Sequence, residues 1–159
     1  MILRREIKVT DDGSKTLFIP DWNENYHSSH GAVQEAKHVF LKYGLGAIKD
    51  EVEINVFEVG FGTGLNSILT YQYAIENQLK INYDSIEAYP ITKEEMELLD
   101  YVSLFENKDT KEVYQKMYAV SWNESVMISE NFYLKKIHNK LEHHILPSDH
   151  YDIIFFDAF

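Results

Sequence analysis

One stretch constrains this chain more than any other: Ile54-Asn55-Val56-Phe57-Glu58-Val59-Gly60-Phe61-Gly62-Thr63-Gly64-Leu65-Asn66. Its first half is an apolar run with β-branched residues, the pattern of a buried strand. The run ends on an acid, and three glycines come next at alternate positions. Glycine lets the backbone adopt positive φ and lets a ligand come close to it. The residues after the loop, Ser67-Ile68-Leu69-Thr70-Tyr71-Gln72, can start a helix with Asn66 or Ser67 as its cap. A strand, a tight glycine loop and a helix, in that order, open a nucleotide-binding βαβ unit.

Spacing narrows the choice of nucleotide. A phosphate-cradling P-loop requires Gly-Lys-Ser/Thr, and this loop holds no lysine. The dinucleotide fingerprint spaces its last two glycines three apart, whereas Gly62 and Gly64 are two apart. Glu58, two residues before the first glycine, completes E-x-G-x-G-x-G, which resembles the first motif of S-adenosylmethionine-dependent methyltransferases. An ordinary strand-to-helix turn can carry the same glycines, so the loop alone does not decide the function.

The chain has 159 residues, enough for one domain with a core, and 45% of them are hydrophobic. No stretch of about eighteen apolar residues is present, so no membrane span is expected. Met1-Ile2-Leu3-Arg4-Arg5-Glu6 lacks the apolar centre of a signal peptide. The absence of cysteine rules out disulfides and thiolate-held metals and agrees with a cytoplasmic protein. The net charge of −11 repels nucleic acid as a bulk field, so a polynucleotide partner would need a local basic patch.

Residues 1–20 read as a β-hairpin turning at Asp11-Asp12-Gly13-Ser14, part of a small N-terminal extension over 1–25. The polar stretch 21–31 reads as a loop. A helix is expected over 32–43, with Ala32, Ala36, Val39, Phe40 and Tyr43 on its apolar face and Gly44 and Gly46 closing it. His27, His30, Glu35 and His38 lack metal-ligand spacing, and a polar loop beside a helix edge explains them; no metal is expected. Thr92 and Glu95 spell a capping box ahead of Met96 and Leu99. Tyr114, Met117 and Tyr118 share a helical stripe. Asn131 to Ile137 alternates as a strand, and Lys135, Lys136, His138, Lys140, His143 and His144 form the basic concentration of the second half, read as a solvated edge or a phosphate contact.

Three acids fall at strand ends. Glu87 ends a short strand around Tyr83, Ser85 and Ile86, about twenty residues past the loop, where such folds place the acid that binds ribose hydroxyls. Asp157 ends the fully apolar run Ile153-Ile154-Phe155-Phe156, expected to be a central parallel strand. Glu58, Glu87 and Asp157 are therefore expected to converge on one crevice, where a sulfonium or amine would offset their repulsion.

Taken together, Tyr26-His27-Ser28 with Gly31 to Leu41, Glu58 to Asn66, Ile86-Glu87-Ala88-Tyr89-Pro90 and Phe156-Asp157-Ala158-Phe159 resemble the tRNA 5-methylaminomethyl-2-thiouridine methyltransferase family over residues 26–159. The resemblance implies a Rossmann-like class I methyltransferase fold. It implies S-adenosylmethionine as cofactor and the aminomethyl group of a tRNA wobble uridine as substrate. A flavin-dependent oxidase, fused or separate, would be its partner. By matching motif, Glu58, Gly60, Phe61, Gly62, Thr63, Gly64, Asn66, Glu87 and Ala88 would hold the cofactor, Asp157 would face the substrate amine, and Glu35 and His27 would lie on the substrate side. Lys136-Ile137-His138-Asn139 departs from the family's Gly-Asp after the third strand, leaving Asn139 or a backbone amide for the adenine. The family continues beyond the Asp-Ala-Phe motif, so the sheet is expected to lack its C-terminal strands and expose an edge. The competing readings are a methyltransferase of another small molecule or a protein, a nicotinamide-dependent oxidoreductase, and a non-catalytic cofactor-binding fragment.

Overall fold

A computed structural model describes residues 4–11, 13, 15–26 and 29–157 of the chain. His27, Asp12, Ser14, Ala158 and Phe159, which figure in the sequence-based expectations, lie outside the described residues.

The main sheet grows from β4 (Glu53–Val59), the strand ahead of the glycine loop. Parallel neighbours are β5 (Lys80–Glu87) on one side and β8 (Ile153–Phe156) on the other. Beyond β5 lies parallel β7 (Phe132–His138), and then β6 (Ser125–Ser129), an antiparallel edge strand that the residue pattern did not announce. The order is β6-β7-β5-β4-β8. The chain therefore moves outward from β4 through β5 to the edge strand β6, doubles back into β7, then crosses to β4's other side. That reversal at the carboxyl ends of β4 and β8 is a topological switch point, where open α/β sheets bind ligands. The architecture is the Rossmann-like mixed α/β fold expected.

Alternation divides the sheet's two faces. Ile54 and Val56 of β4, Ile81 and Tyr83 of β5 and Phe132 and Leu134 of β7 pack under α2 (Leu65–Asn77) and α4 (Lys108–Ala119) in the larger core. Phe57, Val59, Ile86 and Ile137 form a smaller cluster on the opposite face, joined by Leu141 and Tyr151. β8 is parallel to β4, as its apolar run implied. Among the described residues it pairs with β4 alone, and Ile154 and Phe156 are 56% and 65% exposed.

The helix before β4 differs in phase from its expectation. α1 (Ser29–Ala36) continues without a break into a π-helical segment, Lys37–Gly44, and a 3₁₀ turn, Leu45–Ala47. Each π turn takes in an extra residue, which rotates the later side chains by roughly 100° about the axis. Leu41 and Leu45 thus enter the core, while Val39 and Tyr43 are turned to solvent. Gly44 does not cap a helix in a left-handed conformation; its φ is −84°. It is small because β8 is close: a Cβ there would lie 3.0 Å from Ile153 Cδ1.

Residues 4–26 hold a three-stranded antiparallel sheet, β1 (Glu6–Val9), β2 (Lys15–Ile19) and β3 (Glu24–Asn25). The third strand falls in the stretch read as loop. Arg5 fastens this sheet to the main one. It donates to the carbonyl oxygens of Tyr89 and Pro90 and, at 3.1 Å, to Glu95 Oε2. Glu95 also completes the capping box of α3 (Lys93–Leu99), so one carboxylate caps a helix and receives the clip. Arg5→Ala removes these bonds from a side chain only 5% exposed. Urea unfolding should show a loss of about 1–3 kcal/mol; unchanged stability would show that the clip contributes nothing.

Candidate functional site

The glycine loop is held from below and from the side. Gly60 N donates to Ile86 O at 2.9 Å, and Gly64 N to Phe61 O at 2.8 Å. Gly60, Gly62 and Gly64 all have positive φ. At Gly64 an added Cβ would sit 2.8 Å from the Phe61 ring, so both backbone and packing require glycine there. From α4, the Tyr114 hydroxyl donates to Thr63 O at 2.7 Å. α2 begins at Leu65 with Gly64 as its N-cap, not Asn66 or Ser67; the Asn66 side chain turns instead toward the strand ends.

Beneath the loop, one row of the sheet is polar. Glu58, Ser85 and Lys136 stand side by side in register on β4, β5 and β7, all buried. Ser85 Oγ donates to Glu58 Oε2 at 2.6 Å, and Asn66 Nδ2 to Glu58 Oε1 at 3.0 Å. Burial pushes the Glu58 carboxyl up to about 8; the bonds from Ser85 and Asn66 oppose the shift and nearby Asp157 adds to it. Lys136 is 1% exposed, so it is neither a solvated edge nor a phosphate contact. Its Nζ donates to Tyr118 O at 2.5 Å and lies 4.8–5.4 Å from the ring centres of Trp122, Phe61 and Tyr118. Burial pulls its ammonium down to about 8.

Above the loop opens a cavity of about 470 Å³ at the carboxyl ends of the strands. Gly60, Phe61, Gly62, Thr63, Asn66, Glu87, Ala88, Asp157 and Glu35 all line it. Glu58 and Gly64 lie behind its wall. Of the three acids expected in one crevice, Glu87 and Asp157 meet at the cavity, whereas Glu58 is fully buried beneath it. Glu87 is fixed by backbone donors: Gly62 N at 3.1 Å and Tyr89 N at 2.8 Å. Asp157 is exposed, its backbone N donating to Val59 O at 3.0 Å and its Oδ2 accepting from Asn66 Nδ2 at 2.8 Å. Asn139 also borders the cavity.

Sequence reasoning did not assign several lining residues. Trp22 and Tyr26 come from the N-terminal sheet, and Tyr89 meets Trp22 edge-on at 6.0 Å. Phe40 of the π-helical segment and Tyr101 complete an aromatic wall. The available signal was the density of aromatics in otherwise polar stretches. Burial, with Glu87 nearby, pushes the Tyr26 hydroxyl up to about 12, so it remains a neutral donor.

Fold and cavity define a small-molecule-sized site at the strand ends of a mostly parallel α/β sheet. The comparisons with known proteins narrow that class. No protein-family model matches the chain. Over 91 residues, 54% of the chain, it is 33% identical to the tRNA 5-methylaminomethyl-2-thiouridine biosynthesis bifunctional protein MnmC of Burkholderia multivorans. Over 92 residues it is 32% identical to the protein of the same name from an Acidovorax species. It spans about 14% of the length of these curated relatives. In structure it resembles MnmC2 from Aquifex aeolicus, with a TM-score of 0.69 and 26% identity over 99% of this chain and 50% of that one. The family resemblance read in the sequence is thus met by homologues that carry the MnmC name. No helix among the described residues is long and apolar enough to cross a membrane.

The buried Glu58 yields a signed prediction. Its folded-state pKa lies above the usual carboxyl value of 4.5, so the folded chain holds a proton that the unfolded chain releases. Stability attributable to this group therefore falls as pH rises from about 4.5 to about 8. Glu58→Gln keeps an acceptor for Asn66 and gains a donor for Ser85, reproducing the protonated form. Thermal melts from pH 5 to 8.5 should show the variant losing less stability than wild type, by on the order of a few kcal/mol at the alkaline end. Parallel curves would place the Glu58 proton elsewhere.

Proposed function

We propose that the chain is an S-adenosylmethionine-dependent methyltransferase segment that acts on the aminomethyl group of 5-aminomethyl(-2-thio)uridine at the tRNA wobble position. The observation that carries this reading is the joint one: homology to proteins named MnmC, and a glycine-loop cavity with Asp157 at its edge. The donor set suits the cofactor. A volume of about 470 Å³ is that of a small-molecule site. Glu87 uses one lone pair of each oxygen on backbone N–H groups, and a carboxylate has about four such pairs, so two remain for the vicinal hydroxyls of a ribose. Gly60, Phe61, Gly62, Thr63 and Ala88 would line the nucleoside and amino-acid portions, and Asn139 would stand near the adenine.

When bound, S-adenosylmethionine supplies a methyl group activated by its sulfonium. The substrate nitrogen must reach it neutral, although alkylamines are mostly protonated at neutral pH. The Asp157 carboxylate accepts a hydrogen bond from the amine, aims its lone pair and takes the proton that the nitrogen sheds. Glu35, exposed at the cavity, and His27 stand on the substrate side in this reading. Exposed Lys140 at the rim offers a local cation to a polynucleotide that the net charge of −11 repels. A flavin-dependent oxidase, in the same chain or another, is the partner in this reading, and the compartment is the cytoplasm.

Calorimetry with S-adenosylhomocysteine and, separately, NAD tests the cofactor class: binding of the first alone is expected. Methyl incorporation into undermodified tRNA tests the substrate. Asp157→Ala should lower turnover by about 10²-fold or more and leave S-adenosylhomocysteine affinity unchanged; wild-type turnover in that variant would remove the assigned role.

A further inference from the structure

The residue-by-residue resemblance assigns Asn66 to the cofactor. The geometry points elsewhere: we infer that Asn66 is a positioning residue for Asp157, holding that carboxylate at the edge of the cavity where the methyl-accepting amine arrives. This rests on the methyltransferase reading proposed for the cavity.

A side-chain amide has two N–H donors on one nitrogen. Both have carboxylate acceptors here: Glu58 Oε1 at 3.0 Å and Asp157 Oδ2 at 2.8 Å. No side-chain donor remains on Asn66 for a ligand. Its two acceptors are held very differently. Glu58 is fully buried and anchored by Ser85 Oγ from β5. Asp157 is exposed. The chain Ser85–Glu58–Asn66–Asp157 thus runs from the sheet interior to the cavity and ties the ends of β5, β4 and β8 through the first turn of α2. Asp157's backbone is already placed by its bond to Val59 O. What Asn66 adds is a bond to Oδ2 that favours one direction of the carboxylate. A carboxylate so directed accepts from an amine in one orientation, and that orientation is what in-line attack requires.

Asn66 is 6% exposed, and a residue that merely supports the fold would affect every ligand alike. The test is therefore a ratio of affinities that needs no turnover. Sinefungin carries an amine where the donor's methyl group lies; S-adenosylhomocysteine carries nothing there. Wild type should prefer sinefungin. Asn66→Ala should cut that preference by about tenfold, the worth of one charge-assisted hydrogen bond, and leave S-adenosylhomocysteine affinity within about twofold. In an Asp157→Ala background the same change should have no further effect on the ratio, because Asn66 acts through Asp157. If Asn66→Ala does not fold, Asn66→Leu keeps the volume and removes both donors, with the same expectations. Equal loss of both ligands with an unchanged ratio, or an undiminished effect in the Asp157→Ala background, overturns the inference. Failure of wild type to bind either ligand overturns the methyltransferase reading itself, and this inference with it.

Discussion

A carboxyl group buried under a glycine loop must be neutral or thoroughly hydrogen-bonded, and Glu58 is arranged for both. Burial favours its protonated form, Ser85 and Asn66 bond its two oxygens, and the glycine loop turns directly above it. Because Glu58 shares its face of β4 with Ile54 and Val56, the polar group sits at the end of an otherwise apolar row and not within it. Lys136 stands in cross-strand register with Glu58 two strands away, enclosed by three aromatic rings, one of them Phe61 of the loop. The loop therefore rests on an acid and a base kept apart by Ser85. Each is shifted toward its uncharged form by the same dry surroundings.

Much of this was legible in the residue order because the chemistry of the loop is local. Strand, glycines and helix lie within one short segment, and the strand-end acids Glu87 and Asp157 fall at the same cavity. The capping box at Thr92 and Glu95 formed as written, since its partners are three residues apart. Features set by tertiary contact were not legible. A 3.6-residue period put Val39 and Tyr43 inward; the π-helical turns reached Leu41 and Leu45 instead, in a segment packed closely against β8. Lys136 read as surface because lysines usually are, and only the rings of Phe61, Tyr118 and Trp122 converging from three elements make room for it inside. β3 has two residues and no alternation to betray it.

The N-terminal sheet illustrates how a small appendage can become part of a site. Its own core is slight, yet it brings Trp22 and Tyr26 to the cavity wall. Arg5 and Glu95 make that placement depend on the start of α3, the helix that comes after the Glu87 strand end. The acid at the cavity and the aromatic wall facing it are thereby linked through one ion pair.

β8 has the composition of an interior strand, yet one of its sides and one of its faces meet solvent among the described residues. An open strand side beside apolar Ile154 and Phe156 is a template onto which a further strand can add.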